Sequence, residues 1–402
     1  MDYFSDVSDS VKLNNLKKLS NRNPSLDILR GIAILAVVAV HVIANSNDVT
    51  YAITGGKYMS EFFENTLNYG VYGVELFFFL SGWLLVSIYG IDKKQKFELG
   101  SYWKRRLARI MPLWILFIAL GILEAKIIGK GPWLDARNAP EGGNSLVHSP
   151  LFIWILSLTF TLFLVDSLWN TVMPGGWSIQ AEIAHYLAFP IIRKYDKSFL
   201  FKVWAASYFI FSIIEETKHL YLNIPFLGRI LEALFRLNFL SNSLFFILGI
   251  VAFSAYSNWK SGVGQSELIS SAKKNGVFIV ITTLTTFFAP LTYGRTIDAL
   301  GFIFISIIAT SAIIHMKLLK KMFITLGKYS YFIYFCHFKV LTFMRFLLQD
   351  STGKFKIDVT PSTLVEPLLF LIFLAITLLV SVLLAIPSHK YFEKHFINWA
   401  HR

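Results

Sequence analysis

Apolar stretches long enough to cross a bilayer recur along the whole of this 402-residue chain, and that recurrence is its strongest constraint on fold. A spanning helix needs about 20 mostly apolar residues. Within lipid the backbone must satisfy its own hydrogen bonds, so helices and closed barrels are the structures that span. The stretches here are continuous rather than alternating, which selects helices. Apolar residues make up 55% of the chain and charged residues 16%, against about 25% charged in soluble domains. The expected fold is all-α, a polytopic membrane protein of about ten transmembrane helices. They are placed at 28–45, 70–90, 110–127, 178–192, 199–215, 241–257, 276–293, 298–315, 326–348 and 364–386.

Charge orients the chain. The formal net charge is +13. It does not point to nucleic acid, because most Lys and Arg fall on one side once the N-terminus is placed in the cytoplasm. Both termini are then expected to be cytoplasmic, with tails at 1–25 and 397–402 flanking one integral-membrane domain at 26–396. The segment LFIWILSLTFTLFLV (151–165) is apolar, but counting it as a span would reverse every later loop and worsen the charge balance. It is read as re-entrant or interfacial, with the helix-breaking Pro174-Gly175-Gly176 after it. Irregular backbone persists at membrane depth where protein buries it or where it lines a cavity. The first apolar segment is read as an uncleaved anchor, since Arg30 and His41 would be out of place in a discarded signal. The single cysteine, Cys336, excludes an intrachain disulfide and is read as a small buried apolar side chain.

Within LDILRGIAILAVVAVHVIAN (26–45), Arg30 and His41 are separated by roughly 16 Å of helix. One can sit at the headgroups while the other reaches the bilayer middle. Ionisable groups at that depth are costly and are retained mostly for function. Two readings fit: a reactive histidine below a cationic anchor, or a snorkelling arginine with a histidine that bonds neighbouring helices.

Four further segments carry chemistry. In GVYGVELFFFLSGWLLVSIY (70–89), Glu75 lies near one end of a span, and Ser81-Gly82 offers a small surface for a helix or a ligand. In FELGSYWKRRLARIMPLW (97–114), Arg106 and Arg109 share a helix face beside Lys104 and Arg105. Arginine forks suit phosphate; an ordinary positive-inside anchor is the plain alternative. With Arg30 opening on the same surface, these arginines suit the phosphates of a soluble donor such as a coenzyme A thioester. In GGWSIQAEIAHYLAFP (175–190), Trp177, Glu182 and His185 fall near the outer half of a helix, with Tyr186 one turn from Glu182. They fit a sugar acceptor or an interfacial aromatic belt equally. In LGKYSYFIYFCHFKVL (326–341), His337 lies deep in a span with Tyr331 and Tyr334, where an interhelical hydrogen bond is the plain role. There is no zincin, paired-cysteine, Walker or dinucleotide motif and no nucleophile elbow, and no metal site is expected.

Taken together these segments resemble acyltransferase family 3, the integral-membrane O-acyltransferases that modify surface polysaccharides and some small molecules. The resemblance runs from Leu26 to about Phe396. The family's arginine–ten residues–histidine opening is matched by Arg30 and His41. Its G-V-D/E-L-F-F-x-L-S-G pattern is matched by Gly73 to Gly82, with Glu75 at the acidic position. Its R-x-x-R pattern is matched by Arg106 and Arg109, and W-S-x-x-x-E by Trp177, Ser178 and Glu182. The later L-G-x-x-S-Y pattern and its histidine are matched by Leu326, Gly327, Ser330, Tyr331 and His337. Trp83, Trp114 and His185 depart from the usual residues, which touches acceptor shape more than chemistry.

The resemblance implies transfer of an acyl group, acetyl in the first place, from cytoplasmic acyl-CoA to a hydroxyl of a saccharide or lipid-linked glycan at a bacterial inner membrane. It implies that Arg106 and Arg109 hold donor phosphates, that Arg30 positions the donor and that His41 is the general base. A transient acyl-histidine fits equally. Glu75 would orient or charge-balance His41. Trp177, Ser178, Glu182, Tyr186 and His337 would form the acceptor side. Membrane lipid is the expected surroundings, and acetyl-CoA is a co-substrate with no metal. The alternative class is a secondary transporter or exporter of a glycan precursor, against which stands the lack of an inverted repeat.

Overall fold

A computed structural model describes residues 23–54, 69–90, 97–128, 150–161, 174–195, 239–260, 290–348 and 365–402, with isolated positions between 199 and 206. Among these every regular element is helical. The helices are α1 (Pro24–Thr54), α2 (Gly73–Tyr89, entered through a 3-10 turn at Tyr69–Tyr72), α3 (Leu99–Ile128), α4 (Pro150–Leu158), α5 (Gly176–Ile192), α6 (Phe239–Lys260), α7 (Pro290–Ile313), α8 (Lys317–Leu348), α9 (Val365–Ser388) and α10 (Lys394–Ala400), with a π turn at His389–Glu393. Among the described residues four stretches are long and apolar enough to cross a membrane: Pro24–Ile43, Tyr69–Tyr89, Leu99–Leu123 and Phe370–Ala400. The expected spans at 199–215 and 276–293 lie largely outside the described residues. The segment read as re-entrant forms the short α4 and then turns at Phe160, whose φ is 56°. Its continuation lies outside the described residues.

The described residues fall into two compact units. In the unit drawn from Pro24–Leu76, Trp103–Leu120 and Asp298–Arg402, α1 is the central helix. Pro24 opens it, where the missing N–H costs nothing, and Asp27 lies in its first turn, where the helix dipole favours an anion. Ile28, Ala33, Ile34, Val38 and Val42 are buried. Helix α8 packs closely on α1 through two glycines. A Cβ on Gly31 would strike the Phe323 carbonyl, and one on Gly327 would strike the Asp27 carbonyl. Lipid tails are as apolar as leucine, so small residues that let backbones approach supply the packing that area burial supplies in water. Trp114 and Phe117 of α3 fill the space beside Phe335 and Phe332 of α8. The outward leucines of α9, including Leu371, Leu379 and Leu383, are exposed, as expected for a face turned to lipid.

The other unit takes its described residues from Phe77–Tyr102 and Gly121–Ile297. Here α2 and α6 cross by a reciprocal device. Gly82 meets the Phe246 backbone and Gly249 meets the Phe79 backbone. Trp83 closes the crossing against Phe253 and Tyr256. Helix α5 starts from Gly175, whose φ of 75° lies in the left-handed region that glycine tolerates.

Candidate functional site

In the α1-centred unit the two deep histidines meet. The His41 and His337 ring centroids are 5.2 Å apart, with Nε2 of His337 3.4 Å from Nδ1 of His41. Each ring also bonds back to its own helix. Nδ1 of His41 is 2.7 Å from the Val37 carbonyl oxygen, and Nδ1 of His337 is 3.0 Å from that of Ile333. A carbonyl only accepts, so the hydrogen-bond network assigns a proton to both Nδ1 atoms and leaves the Nε2 atoms of the neutral rings as acceptors. Phe338 packs on both rings, at 4.5 Å from His41 and 4.1 Å from His337. His337 is fully buried.

The same two helices position the cationic end. Arg30 faces Asp27 one turn earlier, with Nη1 3.5 Å from the carboxylate, a charge contact rather than a short hydrogen bond. Asp27 is the residue whose backbone seats Gly327, so the arginine level and the glycine crossing coincide. Glu75 is buried in the first turn of α2. On α3, Arg106 is half-buried and Arg109 exposed. The Arg109 guanidinium lies 5.6 Å over the Tyr331 ring and Lys104 Nζ 4.6 Å over the Trp399 ring. Beside Lys104, an apolar groove of about 680 Å³ runs between α3 and α10, lined by Met111, Pro112, Ile115, Phe392, Phe396 and Trp399.

The acceptor-side candidates gather in the other unit. Oε1 of Glu182 accepts from the Tyr186 hydroxyl at 2.5 Å and from the Ser81 hydroxyl at 3.2 Å. The Tyr102 hydroxyl donates to the Tyr186 carbonyl at 2.9 Å, which fixes that turn of α5. Ser178 donates to the Gly175 carbonyl at 2.9 Å and is buried; its hydroxyl closes the first turn of α5. Trp177 is partly exposed. His185 stacks on Phe246 at 4.7 Å and meets the edge of Phe78 at 5.0 Å.

Thus the structure joins His41 to His337 and Glu182 to Tyr186, and it sets His337 beside His41 in the α1-centred unit rather than in the unit of Trp177, Ser178, Glu182 and Tyr186. Two participants, Asp27 and Tyr102, are not singled out by the sequence. Asp27 is legible in hindsight as an acid three residues before Arg30. Ser81 is singled out with Gly82 as a small surface for a helix or a ligand; Gly82 takes the helix crossing and Ser81 bonds Glu182. Tyr102 had no signal. Among the described residues, no group of three or more histidine, cysteine or acidic side chains could hold a metal.

Comparison with known proteins agrees with the motifs. O-acetyltransferase OatA of Staphylococcus aureus (strain NCTC 8325 / PS 47) is 26% identical over 191 residues, which is 46% of this chain and 27% of that protein. A second protein of S. aureus (strain COL), whose name marks its O-acetyltransferase activity as provisional, is 23% identical over 369 residues, 82% of this chain and 52% of that protein. The chain thus spans about a quarter to a half of the length of these curated relatives. No solved structure matches it significantly. The acyltransferase domain family matches residues 23–386, nearly the whole of the chain, and with its motif residues assembled as described the chain belongs to that family.

Proposed function

We propose that the protein is a membrane-bound O-acyltransferase, moving an acetyl group from cytoplasmic acetyl-CoA to a hydroxyl of a saccharide or lipid-linked glycan at a bacterial inner membrane. The observation that carries this reading is the 2.7 Å contact between Nδ1 of His41 and the Val37 carbonyl oxygen. With Nδ1 as the donor, Nε2 is the basic nitrogen of the neutral ring, the atom a general base uses. The acceptor hydroxyl gives its proton to Nε2 as its oxygen attacks the thioester carbonyl carbon. The C–S bond breaks, the coenzyme A thiolate leaves, and the proton on His41 is released to it. Glu75 helps to orient or charge-balance His41. Arg106 and Arg109 hold donor phosphates, with Arg30 positioning the donor. Trp177, Ser178, Glu182 and Tyr186 bound the acceptor side.

The proposed topology is about ten spans, with tails at 1–25 and 397–402 in the cytoplasm. One packing feature supports it. Asp27 meets Gly327 and His41 meets His337, so α1 and α8 run in the same direction. Helices that run in parallel across a membrane start from one side, which the first and ninth of ten spans do. The groove between α3 and α10, with a lysine at its rim, supports contact with membrane lipid.

Surface glycans from cells expressing the wild type, the His41→Ala variant or an empty vector test the reading by mass spectrometry. A base-labile gain of one acetyl mass, confined to the wild type, is expected. The same gain in the variant would remove His41 from the chemistry. For the donor side, replacing Arg106 and Arg109 together by alanine should weaken acetyl-CoA binding about tenfold or more, because charge-assisted bonds are lost. Unchanged affinity would remove the clamp.

A further inference from the structure

We propose that His337 is a positioning residue for His41 rather than an acceptor-binding residue: its Nε2 receives the Nδ1–H of His41 and holds that ring in the tautomer and orientation that aim Nε2 of His41 at the acceptor hydroxyl. The inference rests on the reading of His41 as the base.

The argument is one of donor and acceptor counting. His337 bonds to the Ile333 carbonyl through Nδ1 at 3.0 Å, so Nδ1 bears its proton and Nε2 is its remaining acceptor. That acceptor lies 3.4 Å from Nδ1 of His41, the atom that also donates to Val37 at 2.7 Å. The Nδ1–H is therefore shared between two acceptors, one on its own helix and one on α8. The contact is long for a hydrogen bond in the resting ring. It gains strength when Nε2 of His41 takes the acceptor's proton, because a charged donor bonds more strongly than a neutral one. Val37 alone cannot fix the ring, since rotation of the side chain about its bonds would exchange one i−4 partner for solvent or lipid. A second acceptor from another helix removes that freedom, as the third member of a hydrolytic triad does for its histidine. His337 can serve in this way because it is itself immobilised. It has no exposed surface, and its ring is held by Phe338 at 4.1 Å and by the edge of Tyr334 at 6.0 Å. His337 need only accept this bond, and no relay through it is required. The step balances as written above: one proton goes from the acceptor to His41 and on to the departing thiolate, and His337 gains and loses none.

The test uses the full-length protein in vesicles with two readouts. Nitrogen-15 spectra of histidine-labelled protein, assigned with the His41→Ala variant, report which ring nitrogen of His41 bears hydrogen. Acetyl-labelled acetyl-CoA reports transfer to base-labile glycan. The wild type should show His41 as a single Nδ1–H tautomer. His337→Phe keeps a ring of similar size without an acceptor; it should mix the two tautomers and slow transfer at saturating acetyl-CoA about tenfold, with the donor KM unchanged. His337→Gln, which restores an oxygen acceptor, should recover most of both. A His41 spectrum unaltered by His337→Phe overturns the positioning role, whatever the rate does. A rise in acceptor KM with the spectrum unaltered returns His337 to the acceptor side. Undiminished transfer by His41→Ala instead overturns the base assignment on which the inference rests, and does so without touching the tautomer result.

Discussion

The histidine pair and the Glu182 cluster solve one problem by opposite means. Each must keep polar atoms among apolar helices. In the α1-centred unit the partners are backbone carbonyls one turn back and a second imidazole from another helix. In the other unit a carboxylate collects hydroxyl donors from side chains, Ser81 and Tyr186. Carbonyl partners dictate which nitrogen holds the proton. Hydroxyl partners leave a carboxylate free to trade one donor for another, because a hydroxyl rotates and both donates and accepts. The first arrangement suits a group that must stay in one protonation geometry, and the second suits a group that exchanges its partners for those of the proposed acceptor.

That contrast yields predictions in descending size. Replacing His41 by alanine should cut transfer by about 10²–10⁴-fold, the usual worth of a general base, while membrane-inserted protein stays at wild-type level. Retained transfer would erase the distinction between the two regions. Glu182→Gln should raise the acceptor KM about tenfold through loss of charge-assisted bonds, with turnover nearly intact. A fall in turnover alone would place Glu182 in the chemistry. Gly327→Ala forces a Cβ against the Asp27 carbonyl and should cost about 1–3 kcal/mol of stability by overpacking. A lowered unfolding temperature in detergent would register it, together with an altered His41–His337 contact but an intact Glu182 cluster. Tyr186→Phe should be the mildest, removing one hydroxyl donor worth about 1 kcal/mol and raising the acceptor KM a few-fold, with no change in the nitrogen spectrum of His41.

Much of this was legible in the chain because depth is encoded locally. A histidine and an arginine inside one apolar segment declare their heights in the membrane from helical rise alone, and Arg30 and His41 lie on one helix as expected. Helix ends are legible to within a few residues where hydropathy changes sharply, as at 70–90 and 178–192. Helices begin well before the expected spans where the sequence turns basic. The helix expected to enter the membrane at 110 begins at Leu99, and the one expected at 326 begins at Lys317. Pairings between helices were not legible. His337 reads as a lone histidine, and only the crossing of α1 with α8 at Gly31 and Gly327 brings it to His41. Ser81 reads as part of a small surface and Tyr102 as an ordinary residue in a basic stretch until α5 supplies their partners.

The bond from His41 to Val37 has a consequence for how the site is made. It joins residues four apart on a single helix, so it can form as soon as that helix is wound, before any neighbour arrives. Helix α1 on its own can therefore bias the proton of this imidazole toward the inner nitrogen. His337 follows 296 residues later, so its ring arrives only after α1 has been made. Packing of α8 then fixes a preference that α1 alone can only favour, because the second acceptor completes the orientation of the ring.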